Sequence, residues 1–207
     1  AGTLTLSGAN IYAGGTTITA GTLQIGNGSA LGTGSLAMDA GTALAFAGGN
    51  FTIVNPITVS GDPGFSPAAG TTQTSASSIS DGGAPCGGGV TGAGTLVLSW
   101  TNTYSGETVL ASGILRVSAD NNLGATAGGL TFKGGTLQFD TAFALSNSRT
   151  ITLDAGGGTF DSNGFTIGIA RKISGAGALT KSGSGTVILT YANSYSGGTA
   201  ILAGTLQ

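Results

Sequence analysis

The chain has 207 residues, 41 of them Gly, with 7% charged residues, 40% apolar residues, no His, one Cys and a formal net charge of -2. That apolar content excludes a disordered tail, and a lone cysteine excludes a disulfide scaffold. The six basic residues form no cluster that would release the counterions of a nucleic acid, and no apolar run reaches the roughly 18 residues of a membrane helix.

In chain order, the first block is AGTLTLSGANIYAGGTTITAGTLQ, Ala1 to Gln24. Leu4-Thr5-Leu6 and Thr17-Ile18-Thr19 alternate with period two, which predicts short strands. ALGTGSLAMDAGTALAF (Ala30 to Phe46) and NPITV (Asn55 to Val59) follow. Residues 61–92 then break the pattern with Pro63, Pro67 and Pro85, which predicts a loosened coil or an extruded loop. Cys86 is expected there as a lone thiol in a flexible loop, open to an intermolecular bridge.

The first block now returns as AGTLVLSWTNTYSGETVLASGILR, Ala93 to Arg116. NLGATAGGLTFKGGTLQF (Asn122 to Phe139) resembles the stretch after the first copy, and RTITL (Arg149 to Leu153) resembles NPITV. A third copy, SGTVILTYANSYSGGTAILAGTLQ, runs from Ser184 to Gln207. Gly2, Gly94 and Gly185 correspond, as do Asn10, Asn102 and Asn193, and Tyr12, Tyr104 and Tyr195. The super-repeat is thus about 92 residues, with copies at 1–92, 93–183 and, in part, 184–207. The repeated Asn are expected to serve stacking or a turn, and the repeated Tyr to pack at coil corners, coils apart from one another.

A shorter period lies inside the long one. Gly followed by a small and an apolar residue recurs at steps of 19 to 23 residues. No stretch shows helical periodicity or a capping box. Strands this short at this spacing cannot hide their apolar faces in a sandwich, but stacked coils can. The chain is therefore expected to be all-β, one continuous parallel β-helix (solenoid) over 1–207, of about ten coils and roughly 50 Å long.

Little chemistry is on offer. Without His, a serine nucleophile would need Lys as its base, and Lys181 and Ser182 are neighbours on a strand, so they point to opposite faces. Asp154 and Asp161 flank a turn and would suit glycoside hydrolysis only if they converged in a cleft. Asp161-Ser162-Asn163-Gly164 offers oxygens to calcium, yet the nonapeptide of calcium-binding β-rolls is absent. No catalytic residue, cofactor or metal is expected.

The triplicated block resembles the passenger-associated repeat of bacterial autotransporters (the autotransporter-associated β-strand repeat). Leu179 to Gln207, LTKSGSGTVILTYANSYSGGTAILAGTLQ, is similar to the family pattern almost throughout. The second copy departs from it at Trp100 and Glu107 and lacks L-T-K upstream. The resemblance implies a right-handed β-helical stalk or fibre, secreted to the extracellular side or surface of a Gram-negative bacterium, aiding its own secretion and presenting a surface. It implies neighbouring coils of a longer chain, or end-to-end self-association, as partners. A host or bacterial surface ligand is a further expected partner. An adhesin binding carbohydrate or a cell surface, a self-stacking filament subunit and a polysaccharide-acting β-helix enzyme are the other readings. The missing initiator Met suggests a chain cut from something longer.

Overall fold

A computed structural model of the chain describes residues 1–83 and 85–207. Strands of two to four residues stack in parallel into sheets of nine, eight, four and four strands. Consecutive strands lie in different sheets, and each pairs with the strand one coil on. Thr3–Leu6 pairs with Thr22–Ile25, and that strand pairs with Ala43–Phe46. The nine-stranded sheet supplies one strand per coil and is continued by Ser194 and Ser196, whose N–H groups donate to Ile173 and Gly175 (2.9 and 3.0 Å). The result is a parallel β-solenoid of about ten coils.

Burial explains the stacking. In each strand alternate residues face inward, as the period of two requires. Leu23 and Ile25 pair with Leu44 and Phe46 one coil up, and all four are buried. Each such side chain contributes about 1.5–3 kcal/mol on leaving water, but only because the next coil covers it. Phe132 and Phe160 meet edge to face at the centre, with ring centroids 5.0 Å apart.

Three faces surround this core. The nine-stranded and eight-stranded sheets form two of them. The third holds both four-stranded sheets, one low and one high, separated by segments around 99–107 and 118–126 that are not strands. One short 3-10 turn, Asp120–Leu123, lies in this gap. Backbone bonds still cross it: Thr103 N–H donates to Ile79 O (2.9 Å) and Ala125 N–H to Tyr104 O (2.8 Å).

The opening strand of each repeat copy falls on a different face. Thr3–Leu6 lies in the nine-stranded sheet and Thr95–Leu98 in the eight-stranded one. Thr186–Leu189 lies in the upper four-stranded sheet. The super-repeat therefore spans four coils and about a third of another, and each copy is turned one face further round the rod. Equivalent residues spiral instead of lining up.

Residues 61–92, where the prolines point to a loosened coil, hold four strands: Gly64–Pro67, Thr72–Ser75, Ile79–Asp81 and Gly88–Val90. All of them pair in register with neighbouring coils. Pro67 ends its strand and still accepts from Gly94 N–H (3.0 Å). The expectation for Cys86 is corrected: the thiol is buried, its Sγ donating to Val59 O (2.7 Å) and reaching Asp81 Oδ1 (3.2 Å). Burial, reinforced by the Asp81 carboxylate, pushes the thiol pKa up. Nearby, Gly88 takes the inward place that Thr108, Leu130, Ile151 and Ile173 fill in the coils above. A void of about 20 Å³, lined by Phe65, Ile79, Val90, Leu96 and Tyr104 among others, remains beside it.

Candidate functional site

The repeated Asn and Tyr sit in the segment that leaves each opening strand. Asn102 is buried and joins three coils. Its Oδ1 accepts from Ile79 N–H below (2.8 Å), and its Nδ2 donates to Asn122 O above (2.6 Å). Asn10 makes the upward bond to Ala30 O (2.8 Å), and Asn193 makes the downward bond from Ile173 N–H (2.8 Å). An amide suits this place because it carries a donor and an acceptor at opposite corners of one rigid group.

Each repeated Tyr pairs its hydroxyl with the Thr four residues on. The distances are 2.8 Å for Tyr12–Thr16, 2.8 Å for Tyr104–Thr108 and 2.7 Å for Tyr195–Thr199. Tyr104 is almost fully buried, whereas Tyr12 is 37% exposed. Burial drives the Tyr104 hydroxyl pKa up to about 12, against the opposing pull of the Thr108 bond and the Arg149 charge. Gly2, Gly94 and Gly185 open the strands of the motif, and Gly94 and Gly185 sit where a Cβ would meet backbone of the coil below.

The coil above completes the site. Gly32 lies over Tyr12 and Gly124 over Tyr104, with φ of 62° and 74°. A Cβ on either would collide with the tyrosine below, so both the backbone sign and the close approach demand Gly. This turn, Leu31-Gly32 or Leu123-Gly124, is in turn held from a further coil up. Asn55 Nδ2 donates to Gly32 O (3.2 Å) and to Gly34 O. Arg149, fully buried, donates to Leu123 O and Gly128 O (3.0 Å each) and Gly124 O (3.2 Å), and pairs with Asp120 (3.2 Å). Asn122 fixes the turn from within, accepting from the N–H groups of Ser118 and Ala119 (2.9 Å each).

These upper partners are the residues that motif reading alone passes over. Their signal is the loose correspondence of Ala30–Phe46 with Asn122–Phe139 and of NPITV with RTITL, which aligns Asn55 with Arg149.

Lys181, from the L-T-K stretch, is the second buried cation. Its Nζ lies against Ser162 Oγ (2.9 Å), Ser182 O (2.6 Å), Gly183 O (2.7 Å) and Ala203 O (3.1 Å), so it joins three coils. Burial lowers its pKa and the Asp161 charge opposes this. The serine hydroxyl that Lys181 meets is that of Ser162, while Ser182 offers only its backbone carbonyl, and the contact is not a base–nucleophile pair. Four oxygens surround the nitrogen and draw on all its N–H donors, so no lone pair faces the serine. In the second copy the matching residue is Val90, an apolar plug in place of the ammonium.

The two carboxylates singled out for glycoside chemistry do not converge. Asp154 follows a strand of the nine-stranded sheet and pairs with Lys133 (3.8 Å). Asp161 ends a strand of the eight-stranded sheet, where it accepts from Gln138 Nε2 (2.8 Å) and Asn163 N–H (2.9 Å). Asp81 is likewise committed. Burial would raise its pKa, but hydrogen bonds from Ser105 and Cys86 outweigh that and leave it lowered.

Comparison with known proteins follows the same residues. The chain matches the passenger-associated-transport-repeat at residues 1–25, 90–117 and 179–207, the three copies of the block, the third with its L-T-K lead-in. It is 39% identical over 114 residues to a protein of Brucella suis biovar 1 (strain 1330) described as "Adhesin BmaC autotransporter". That stretch is 55% of this chain and 3% of the Brucella protein, so the chain spans a small fraction of its relative's length. No solved structure matches the chain.

Proposed function

We propose that the chain, which carries three copies of the passenger-associated-transport-repeat of bacterial autotransporters, is a segment of an extracellular stalk. It is part of a surface-displayed passenger of a Gram-negative bacterium. Its work is structural, not catalytic: the groups that could do chemistry, Lys181, Asp81, Asp154 and Asp161, are taken up by contacts within the fold. The observation that carries this reading is Asn102, which ties the coil below it to the coil above it at the heart of the family motif.

A solenoid of this kind grows coil by coil, and each new coil is worth little until the next one covers it. A chain emerging from the cell and stacking as it emerges would be held outside by that growing stack. In this reading the inter-coil bonds of residues such as Asn102 and Arg149 commit each super-repeat once its upper turn has arrived. The adhesive reading is second. It is favoured by the name of the Brucella relative, and it makes the stalk's faces a binding surface as well as a spacer.

The test is surface labelling of intact cells carrying the whole passenger, wild type against N102A/Y104A. The stalk reading expects label along the native passenger and a clear fall in surface-exposed passenger per total passenger in the variant. Normal display by a variant whose solenoid is measurably loosened would remove the link between stacking and secretion. A segment that never reaches label on intact cells would remove the stalk itself.

A further inference from the structure

All six basic residues lie between Arg116 and Lys181, and the fold engages four of them internally. Arg116 pairs with Asp140, Lys133 with Asp154 and Arg149 with Asp120, while Lys181 is buried among oxygens. Arg171 and Lys172 are left. Among the described residues neither has a carboxylate partner, and Arg171 spends only one bond, Nη1 to Asn147 O (3.1 Å), on the protein.

A bend at Arg171 brings these two adjacent cations to one place on the outside of the rod. They line a surface groove of about 320 Å³ with Thr150, Ile151, Ser174 and Tyr191. The groove lies where the strand Ile151–Leu153 is covered by Ile173–Gly175, on the nine-stranded face. Tyr191 is 58% exposed, so its ring is available at the rim. The lining thus holds two cations, two hydroxyl-bearing side chains and one aromatic face, and no acid.

We infer that the Arg171–Lys172–Tyr191 groove binds one strand of an acidic polysaccharide. A carboxylated or sulfated sugar satisfies each element at once. Its anion meets the two cations, its hydroxyls meet Thr150 and Ser174, and the C–H face of a pyranose ring lies on Tyr191. A nucleic acid fits less well, because two cations neutralise too few phosphates to hold it at physiological salt. An apolar peptide finds only the edge of Ile151. The site goes beyond the stalk reading: a rod with no ligand would serve as a stalk equally well.

The experiment is calorimetric titration of the purified passenger with hexagalacturonate and with a heparin-derived hexasaccharide, at low and at physiological salt. Neutral maltohexaose and vesicles containing phosphatidylserine serve as comparisons. Binding of an acidic hexasaccharide, weakened by salt and lowered roughly tenfold in R171A/K172A and several-fold in Y191A, is expected. These side chains are on the surface, so the variants should keep the wild-type circular dichroism and melting temperature, and that is measured alongside. Equal binding of maltohexaose, binding of the vesicles alone, binding unchanged in R171A/K172A, or no binding of either acidic sugar would each overturn the proposal. None of these results touches the surface-labelling test of the stalk.

Discussion

Asn55 and Arg149 occupy the same place in successive super-repeats and hold the same turn, one with a neutral amide and the other with a buried guanidinium. Asn55 reaches two carbonyls of the Leu31-Gly32 turn and leaves its own Oδ1 without a partner. Arg149 reaches four carbonyls between Asp120 and Gly128 and needs the Asp120 carboxylate beneath it to balance its charge. The first copy has Gly28 where the second has Asp120, so the acid is present where the cation is.

Arg149→Ala should therefore destabilise the solenoid by about 3–5 kcal/mol, because it strands the Asp120 carboxylate and four carbonyls in the interior. Installing the first copy's solution, Arg149→Asn with Asp120→Gly, should recover most of that loss. Denaturant midpoints of the three proteins check it. A double variant as weak as R149A would mean that the two sites are not interchangeable.

The repeated tyrosines should differ in worth although their hydroxyls make the same bond. Tyr104→Phe removes a buried hydroxyl and leaves Thr108 short of a partner, at a cost of about 1–2 kcal/mol. Tyr12→Phe does so in a site open to water, which can replace the bond, and should cost well under half as much. Hydrogen exchange at the amides of the next coil up gives the comparison.

Gly88 should accept alanine with a gain. Its φ is not in the left-handed region, and an added Cβ would meet only the edge of the Phe65 ring, at 3.3 Å, with the void beside it for the ring to move into. Gly88→Ala should raise stability by roughly 0.5–1 kcal/mol, through lower unfolded-state entropy and part of the void filled. A lowered melting temperature would show that Phe65 cannot give way.

Alkaline pH should weaken the fold through Tyr104. Its pKa is about 12 in the folded protein against 10.0 when unperturbed, so the folded state keeps a proton that the unfolded state loses. The stability held below pH 10 thus falls as pH rises from 10 to 12, by on the order of 2–3 kcal/mol, and then levels off. The difference in 295 nm absorbance between wild type and Y104F, followed against pH, should show one phenol ionising late. A difference curve centred near pH 10 would place Tyr104 in contact with water.

Cys86 should stay silent toward a thiol reagent at neutral pH. It is 1% exposed and its pKa is raised, so labelling has to wait for local opening. The labelling rate should follow denaturant concentration and not reagent strength.

Much of the fold is legible in the residues themselves. Pairs such as Leu23 and Ile25 declare their strands by period two, and the Gly-rich steps declare the coil. The Asn and Tyr of the site stand out because they recur without gaps. What they contact does not, because Gly32 and Asn55 lie one and two coils further along and their counterparts match only loosely. The prolines at 63 and 67 misdirect for a physical reason: a strand needs each N–H only where a neighbouring carbonyl waits for it, and these two fall at a strand's edge and end. The burial of Lys181 is not legible either, since nothing in a short polar stretch says that four oxygens will gather round one ammonium inside the rod.

The one-third-turn advance of each super-repeat has a mechanical result. A column whose strandless segments were stacked along a single side would have a soft direction and would flex toward it under load. Here the segment carrying Asn10 lies on one side, that carrying Asn102 on the next and that carrying Asn193 on the third. Over the span of three copies, no single side of the rod therefore collects all the segments that carry the repeated Asn.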